Sequence, residues 1–318
     1  MTSGMIETQL LTADKAGIAQ AAKLLRTGAL VSFPTETVYG LGANARNDTA
    51  VARIFDAKGR PHFNPLIVHL PSVAAAHDIA LFDDLADRLA TAFWPGPLTL
   101  VLPLKPNTGL SPLVSAGFDT IALRVPEHAL AQQVLAAAGV PVAAPSANPS
   151  GRISPTKAGH VMDGLSGRIE AVLDGGPCGV GVESTIVGFA NGQAVLLRPG
   201  GLPVEALEAC LGTPLTVHAS EDIVAPGQLA SHYAPDAPVR LNAETLRDGE
   251  RLLGFGPVQA DLNLSPSGDL VEAAANLFHH LHALDAGGDA PIAVSPIPNH
   301  GLGRAINDRL RRAAAPRG

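Results

Sequence analysis

Four short stretches hold the side chains that could do chemistry. In "KGRPHFNPLIVHL" (58–70), Lys58 and Arg60 stand two residues apart, ahead of an apolar run. A flexible ammonium beside a planar guanidinium suits a polyphosphate. For the dipeptide alone, a basic helix end that complements the macrodipole is the simpler reading. His69 lies inside the apolar run, where a histidine is usually a satisfied core residue. In "APSANPSGRISPT" (144–156), small residues let a ligand approach the backbone, and Ser146, Asn148, Ser150 and Ser154 offer directional hydrogen bonds. Ser154 before Pro155 reads as a helix start whose N-terminus could receive anionic oxygens. An ordinary Ser/Pro-rich loop is the plain alternative.

The other two stretches are similar in kind. "FPTETVYGLG" (33–42) places two threonines around a glutamate, as a polar pocket for a small charged and hydroxylated ligand would, or as a common strand exit would. "DGGPCGVGVESTIVGF" (174–189) and "LLRPGG" (196–201) combine a glycine run with Arg198 at a strand end. Glycines permit close backbone approach, and the arginine suits a phosphate. Neither stretch is a phosphate-binding fingerprint, because the chain has no GxxxxGK[ST] and no GxGxxG opening a helix here.

Elements that could position these groups follow from periodicity. Helices are expected over 14–27, 48–57 with Asp48 as N-cap, 83–93, 128–138 and 155–163. Short buried strands lie between them at 66–70, 98–104, 120–125, 140–144, 184–189 and 194–198, the last two close enough for a hairpin. This predicts an α/β domain with a mixed sheet over residues 1–211. Residues 212–238 hold four prolines and no sustained period, and read as a linker. Residues 239–318 predict a second, small α/β unit with a long helix at 269–285 and a last helix from about 301. In "HHLH" (279–282), Leu277, Phe278, Leu281 and Leu284 mark the apolar face, so no metal site is assigned there and no protein metal ligands are expected. "GLGRAINDRLRRAA" (301–314) reads as a solvated basic helix face rather than an RNA-binding tail.

Bulk properties limit the function classes. The 318 residues carry 22 basic and 29 acidic side chains, a net charge of −7, which disfavours gripping nucleic acid with the whole surface. Two cysteines in no metal-type spacing fit a reducing compartment. "MTSGMIETQLLTADK" lacks the features of a signal peptide, and no apolar run is long enough to span a bilayer, so a cytoplasmic protein is expected.

Taken together, "FPTETVYGLG", "KGRPHFNPLIVHL", "WPGPLTLVL", "APSANPSG" and "ESTIVGF…LLRPG" stand in the order seen in the YrdC-like family. The K-x-R plus S-x-N set of that family is similar to Lys58, Arg60, Ser146 and Asn148. "PGQLASHYAP" (226–235) and the terminal "GLGRAINDRLRRA" resemble its long, two-domain form. The resemblance implies a YrdC-like open twisted mixed-sheet domain followed by a small Rossmann-like α/β domain. It implies synthesis of threonylcarbamoyl-adenylate from L-threonine, bicarbonate and ATP, with Mg2+ accompanying ATP. It also implies a downstream tRNA threonylcarbamoyl transferase as partner, and weak or no direct tRNA binding. It carries threonine contacts onto Thr37, His69, Arg124, Ala144 and Ser184, with Arg124 forking the carboxylate. It carries ATP contacts onto Arg60, Asn64, Thr120, Ser146, Asn148, Ser154, Arg198 and Tyr233. Lys58 would add charge at the phosphates, and no general base is assigned. Arg60, on a loop, is expected to be exposed. The linker is expected to fold over the first domain as a lid with Tyr233 against the nucleotide, and a chain cut after residue 211 is expected to stay folded. A double-stranded RNA-binding module and a carbamoyl-transfer domain of hydrogenase-maturation type are the alternatives. The second would bring acylphosphatase-like and zinc-finger segments, which this chain lacks.

Overall fold

The structure, a computed structural model, describes residues 6–61, 63–217 and 232–316. The first lobe opens with β1 (Gln9–Thr12), α1 (Lys15–Arg26), β2 (Val31–Phe33), β3 (Gly40–Asn44), α2 (Asp48–Lys58) and β4 (Ile67–His69). Then come α3 (Val73–His77), α4 (Asp84–Phe93), β5 (Leu98–Pro103), α5 (Pro112–Ser115), β6 (Thr120–Arg124), α6 (Ala129–Ala138) and β7 (Val142–Ala143). It closes with α7 (Ala158–Leu165), β8 (Ala171–Asp174), β9 (Thr185–Ala190), β10 (Gln193–Arg198), α8 (Val204–Leu211) and β11 (Thr216–Val217). The second lobe has β12 (Val239–Arg240), β13 (Arg251–Gly254), β14 (Leu262–Asn263), α9 (Leu270–Ala286), β15 (Ile292–Val294) and α10 (Gly303–Ala314).

Among the described residues the large sheet has eleven strands, in the order β1-β8-β2-β3-β7-β4-β6-β5-β9-β10-β11. It is mixed, as the sequence predicts: β4 and β6 are parallel, while β5 pairs antiparallel with β6. The β9–β10 hairpin turns on Asn191 and Gly192, both at positive φ, which suits the twist of the flanking strands. The second sheet is entirely parallel, in the order β12-β15-β13-β14.

Two helix starts differ from the sequence reading. α2 is capped by Asn47, whose side chain accepts from Ala50 N–H, and Asp48 sits in the first turn, where its charge favours the dipole. α7 begins at Ala158 rather than at 155, so Ser154 is not a helix cap. The residues before it are held elsewhere: Ser154 Oγ donates to Glu183, and the carbonyls of Pro155 and Thr156 accept from Tyr39 N–H at 2.8 Å and Cys178 N–H at 3.0 Å.

The lobes share apolar packing. Val38, Ile153 and Val182 of the first lobe pack in one cluster with Tyr233, Leu277, Phe278 and Ile306. Gly181 shows how close the approach is: a Cβ there would fall 2.4 Å from the Ala274 carbonyl oxygen of α9. That glycine admits the second lobe, not a ligand. A chain cut after residue 211 would expose this face to solvent. Of the expected linker, residues 218–231 lie outside the described residues. Residues 232–238 are packed, with Ala234 N–H donating to the Gly151 carbonyl at 2.9 Å.

Candidate active site

Two strand ends form one wall of a narrow cleft that encloses about 50 Å³. The parallel register of β4 and β6 sets His69 beside Arg124. Arg124 donates from Nη2 to Glu36 Oε1 at 2.7 Å and from Nε to the Gly96 carbonyl at 3.3 Å. Both members of this ion pair are buried. Part of the guanidinium is therefore committed to the protein, which leaves Nη1 and the second Nη2 proton for a carboxylate. Burial, reinforced by the neighbouring Arg124, lowers His69 to about 3. Its ring is neutral, and its Nδ1 has no partner among the described residues.

Glu36 is delivered by the "PTET" turn. Thr35 Oγ1 accepts from the N–H groups of Thr37 and Val38 and donates to the Val38 carbonyl at 2.7 Å. The Thr37 hydroxyl then donates to Thr35 Oγ1 at 2.8 Å. Thr35 lines the cleft, and Thr37 is wholly buried behind it.

The opposite wall is cationic. Lys58, at the end of α2, donates from Nζ to the Ser146 carbonyl at 2.6 Å and to the Asn148 carbonyl. The Asn148 amide donates to the carbonyls of Pro149 and Arg152, both at 2.9 Å. Lysine and asparagine thus fold the S-x-N loop around themselves. Burial, with Arg60 nearby, pulls Lys58 well below the usual lysine range. Arg60 follows the left-handed cap Gly59 and is only 7% exposed, not a surface arginine. Its Nη2 donates to the carbonyls of Pro65 at 3.0 Å and Asn64 at 3.4 Å, and burial lowers its pKa to about 10. Among the described residues neither Lys58 nor Arg60 has a carboxylate partner. Both amide atoms of the buried Asn64 are also unpaired there.

Ser184 and Arg198 join the walls. Arg198 donates from Nε and Nη2 to the Ser184 carbonyl, at 3.2 and 2.8 Å. Ser184 Oγ lies 2.7 Å from Thr99 Oγ1. Gly200 is required here: a Cβ on it would meet the Glu183 and Ser184 backbone at 2.3 Å.

The second lobe closes the site. Glu183 lines the cleft, accepts from Ser154 Oγ through Oε1, and accepts from Arg309 Nε at 2.7 Å through Oε2. Burial pushes this carboxyl up, but Arg309, Arg198 and the Ser154 hydroxyl outweigh it and hold it below the usual range. Arg309 is fully buried, donates to the Pro199 carbonyl at 2.9 Å, and lies 5.2 Å from the centre of the Tyr233 ring. So α10 keeps the solvated basic face the sequence suggests at Arg304 and Arg311, while Arg309, on the opposite side, is buried. Tyr233 is buried at φ 62°, an uncommon conformation for a non-glycine residue, and its ring also stacks on Phe278 at 5.6 Å. His232 lines the cleft beside it, lowered to about 3 chiefly by burial.

The cleft therefore gathers His69, Arg124, Ala144 and Ser184 on the side expected for an amino acid. It gathers Arg60, Ser146, Arg198 and Tyr233 on the side expected for a nucleotide. Thr37, Lys58, Asn148 and Ser154 stand behind these walls, and Asn64 lies under Arg60. Thr120 does not line the cleft: it begins β6, four residues or about 13 Å along the strand from Arg124. Sequence reasoning did not assign Glu36, Glu183, His232 or Arg309. For Arg309 a signal exists: the spacing 302, 306, 309, 313 puts it in the apolar stripe of α10.

A two-lobed α/β enzyme, with a polar amino-acid pocket opening onto buried cations, is the class these features define. Residues 23–200 match the Sua5/YciO/YrdC family, described as "Telomere recombination", and residues 202–315 match the "Threonylcarbamoyl-AMP synthase, C-terminal domain". The chain is similar to the threonylcarbamoyl-AMP synthase of Bacillus subtilis (strain 168), 43% identical over 98% of this chain and 96% of that one. It is similar to the crystal structure of P. abyssi Sua5 complexed with L-threonine, with TM-score 0.89 and 39% identity over 96% and 98% of the two chains. Full-length HypF, in its phosphate- and nucleotide-bound form, shares the fold at 19% identity and TM-score 0.53, over 59% of this chain and 30% of that one. The chain belongs to the threonylcarbamoyl-AMP synthase family, in its two-domain form.

Proposed function

We propose that this cleft joins L-threonine, bicarbonate and ATP into L-threonylcarbamoyl-adenylate and releases pyrophosphate. The observation that carries the reading is the pair of buried cations, Lys58 and Arg60, with no carboxylate partner among the described residues. Buried charges are normally paired, so these two are built for an anion brought by the substrate. Arg60 and Arg198 face the cleft and hold the phosphates, while Lys58 keeps the S-x-N loop in place and adds charge from behind. Arg124 takes the threonine carboxylate through its free end. Neutral His69 and the Ser184 hydroxyl read the amine and hydroxyl. The threonine amine attacks the carbon of bicarbonate with loss of water, or of carbon dioxide with loss of a proton, and a carbamate oxygen then attacks the α-phosphorus of ATP as the bond to pyrophosphate breaks. Catalysis is positioning and charge neutralisation, with no dedicated general base.

Magnesium fits as an ion brought with the triphosphate. Glu183, the carboxylate on the cleft wall, is occupied by Arg309 and Ser154, and no group of ligands for a metal occurs among the described residues. The chemistry the ion supplies when bound there is neutralisation of the departing pyrophosphate.

We propose the division 1–211, 212–238 and 239–318 as catalytic domain, linker and C-terminal Rossmann-like domain. Residues 226–235 act as a lid, with its described end, 232–235, resting on the cleft. No helix among the described residues is long and apolar enough to cross a membrane. The protein works in the cytoplasm and passes its product to a tRNA threonylcarbamoyl transferase. The RNA-binding alternative is not favoured, because the cleft cations are buried rather than displayed. The test is pyrophosphate release with and without L-threonine. Release that ignores threonine would sink the reading.

A further inference from the structure

Outside the catalytic cleft, the second lobe carries a polar crevice that this reaction does not use. It opens at the carboxyl ends of β12 and β15. The chain leaves β12 through 241–250 toward β13, on the far side of β15. It leaves β15 through 295–302 toward α10, which packs back on β12. The exits diverge, and in open parallel sheets ligands sit in crevices of this kind. The crevice measures about 250 Å³. Asn242, Ser295, Asn299, Asn307 and Arg311 supply its polar lining, over apolar side chains that include Leu310. Asn307 donates to the Ile297 carbonyl at 3.0 Å. The side chains of Asn242, Ser295 and Asn299 have no partner among the described residues, although Ser295 is buried. No carboxylate lines the crevice. Its charge is Arg311, whose neighbour Asp308, 3.8 Å away, is already held by Arg309 and Arg312.

We propose that this crevice is a second ligand site and that it takes a nucleoside monophosphate. The guanidinium suits the phosphate. Each carboxamide offers a donor and an acceptor, as a base edge or ribose hydroxyls require. The volume falls just below the roughly 300–1,000 Å³ of drug-sized sites, which suits one nucleotide rather than a dinucleotide. Occupancy reaches the catalytic cleft through α10. Asn307 and Arg311 lie on one face of this helix, and Arg309, which holds Glu183, lies on the opposite face. A ligand that favours one seat of the helix shifts how Arg309 meets Glu183.

The experiment is equilibrium dialysis of radiolabelled AMP with the full chain, the catalytic cleft filled by a non-hydrolysable ATP analogue and L-threonine. One AMP per chain is expected to bind under these conditions. Arg311→Ala, at an exposed side chain, should weaken it at least tenfold while leaving adenylate synthesis without AMP unchanged. Adenosine and inorganic phosphate should each compete less well than AMP. No AMP bound, or equal binding in Arg311→Ala, overturns the site, and adenosine competing as well as AMP overturns its anion chemistry. AMP altering pyrophosphate release equally in wild type and Arg311→Ala overturns the coupling through α10. Dialysis reads binding and not turnover, so its failure is distinct from failure of the proposed reaction.

Discussion

Arg309→Met tests whether the second lobe holds the cleft together by charge. The substitution keeps an unbranched side chain of similar reach and removes the cation that Glu183 meets at 2.7 Å. Stripping one partner from a buried ion pair costs about 3–5 kcal/mol, because the other charge is left buried and unpaired. Glu183 keeps its bond to Ser154 and the nearby Arg198, and Asp308 keeps Arg312, so the low end applies, ~3 kcal/mol. For a protein of 318 residues that is a fall in melting temperature of about 4–5 °C.

The pH dependence gives the sharper reading. In the wild type Glu183 is held below its ordinary range, so its contribution is present above the unfolded pKa and is lost as pH falls through the folded one. Without Arg309 the burial that pushes Glu183 up is no longer outweighed. Its contribution then changes sign and is lost as pH rises. The gap between wild type and Arg309→Met should be widest near pH 8 and narrow toward pH 5. Denaturant melts at both pH values measure it, and adding Glu183→Gln to the variant should recover about 1–2 kcal/mol. A variant within about 0.5 kcal/mol of wild type, the range of ordinary surface changes, or a gap that widens on acidification, would refute the reasoning.

Three further outcomes are expected. Arg60→Ala should cut pyrophosphate release by at least about 100-fold, as loss of a charge-stabilising group does. Because Arg60 is buried, it should also cost about 1–2 kcal/mol of stability; normal turnover would remove it from the site. Serine should be a substrate roughly 10–200-fold poorer than threonine, and 2-aminobutyrate poorer still; equal rates for threonine and 2-aminobutyrate would show that no hydroxyl is read. Tyr233→Ala should lower the adenylate formed per ATP consumed, by admitting water to the carbamate, and an unchanged yield would reduce the linker to a tether.

The sheet of the first lobe was legible where strands are apolar runs, as at 67–69, 98–103 and 120–124. β3 was not, because "GLGAN" is read as loop chemistry, yet Gly42 is needed there: a Cβ would fall 2.7 Å from the Phe33 ring. The residues expected for threonine and ATP come largely to one cleft, since motif order along the strands dictates which ends meet. What stayed hidden are partnerships made by distant segments. Ser154 looked like a helix cap because Pro155 follows it, but Glu183, 29 residues away, takes its hydroxyl. Arg309 looked solvated because arginine is usually so, and only the docking of α10 buries it.

Those long-range partners also explain why a second lobe matters to the chemistry. Glu183 is a carboxylate on the wall of a cleft whose proposed substrate is a polyanion. An anion about 5 Å from an unneutralised carboxylate is destabilised by about 3 kcal/mol per unit charge at an effective dielectric near 20. From the first lobe Arg198 and the Ser154 hydroxyl act on that charge, while Arg60 is directed at the carbonyls of Asn64 and Pro65. The quenching cation arrives on α10, and the same guanidinium lies against Tyr233. One side chain from the second lobe thus pairs with the carboxylate of the wall and packs against Tyr233. On this reading the anion-receptive wall depends on the docked second lobe, and a variant that loosens α10 is expected to lose pyrophosphate release before the first lobe unfolds.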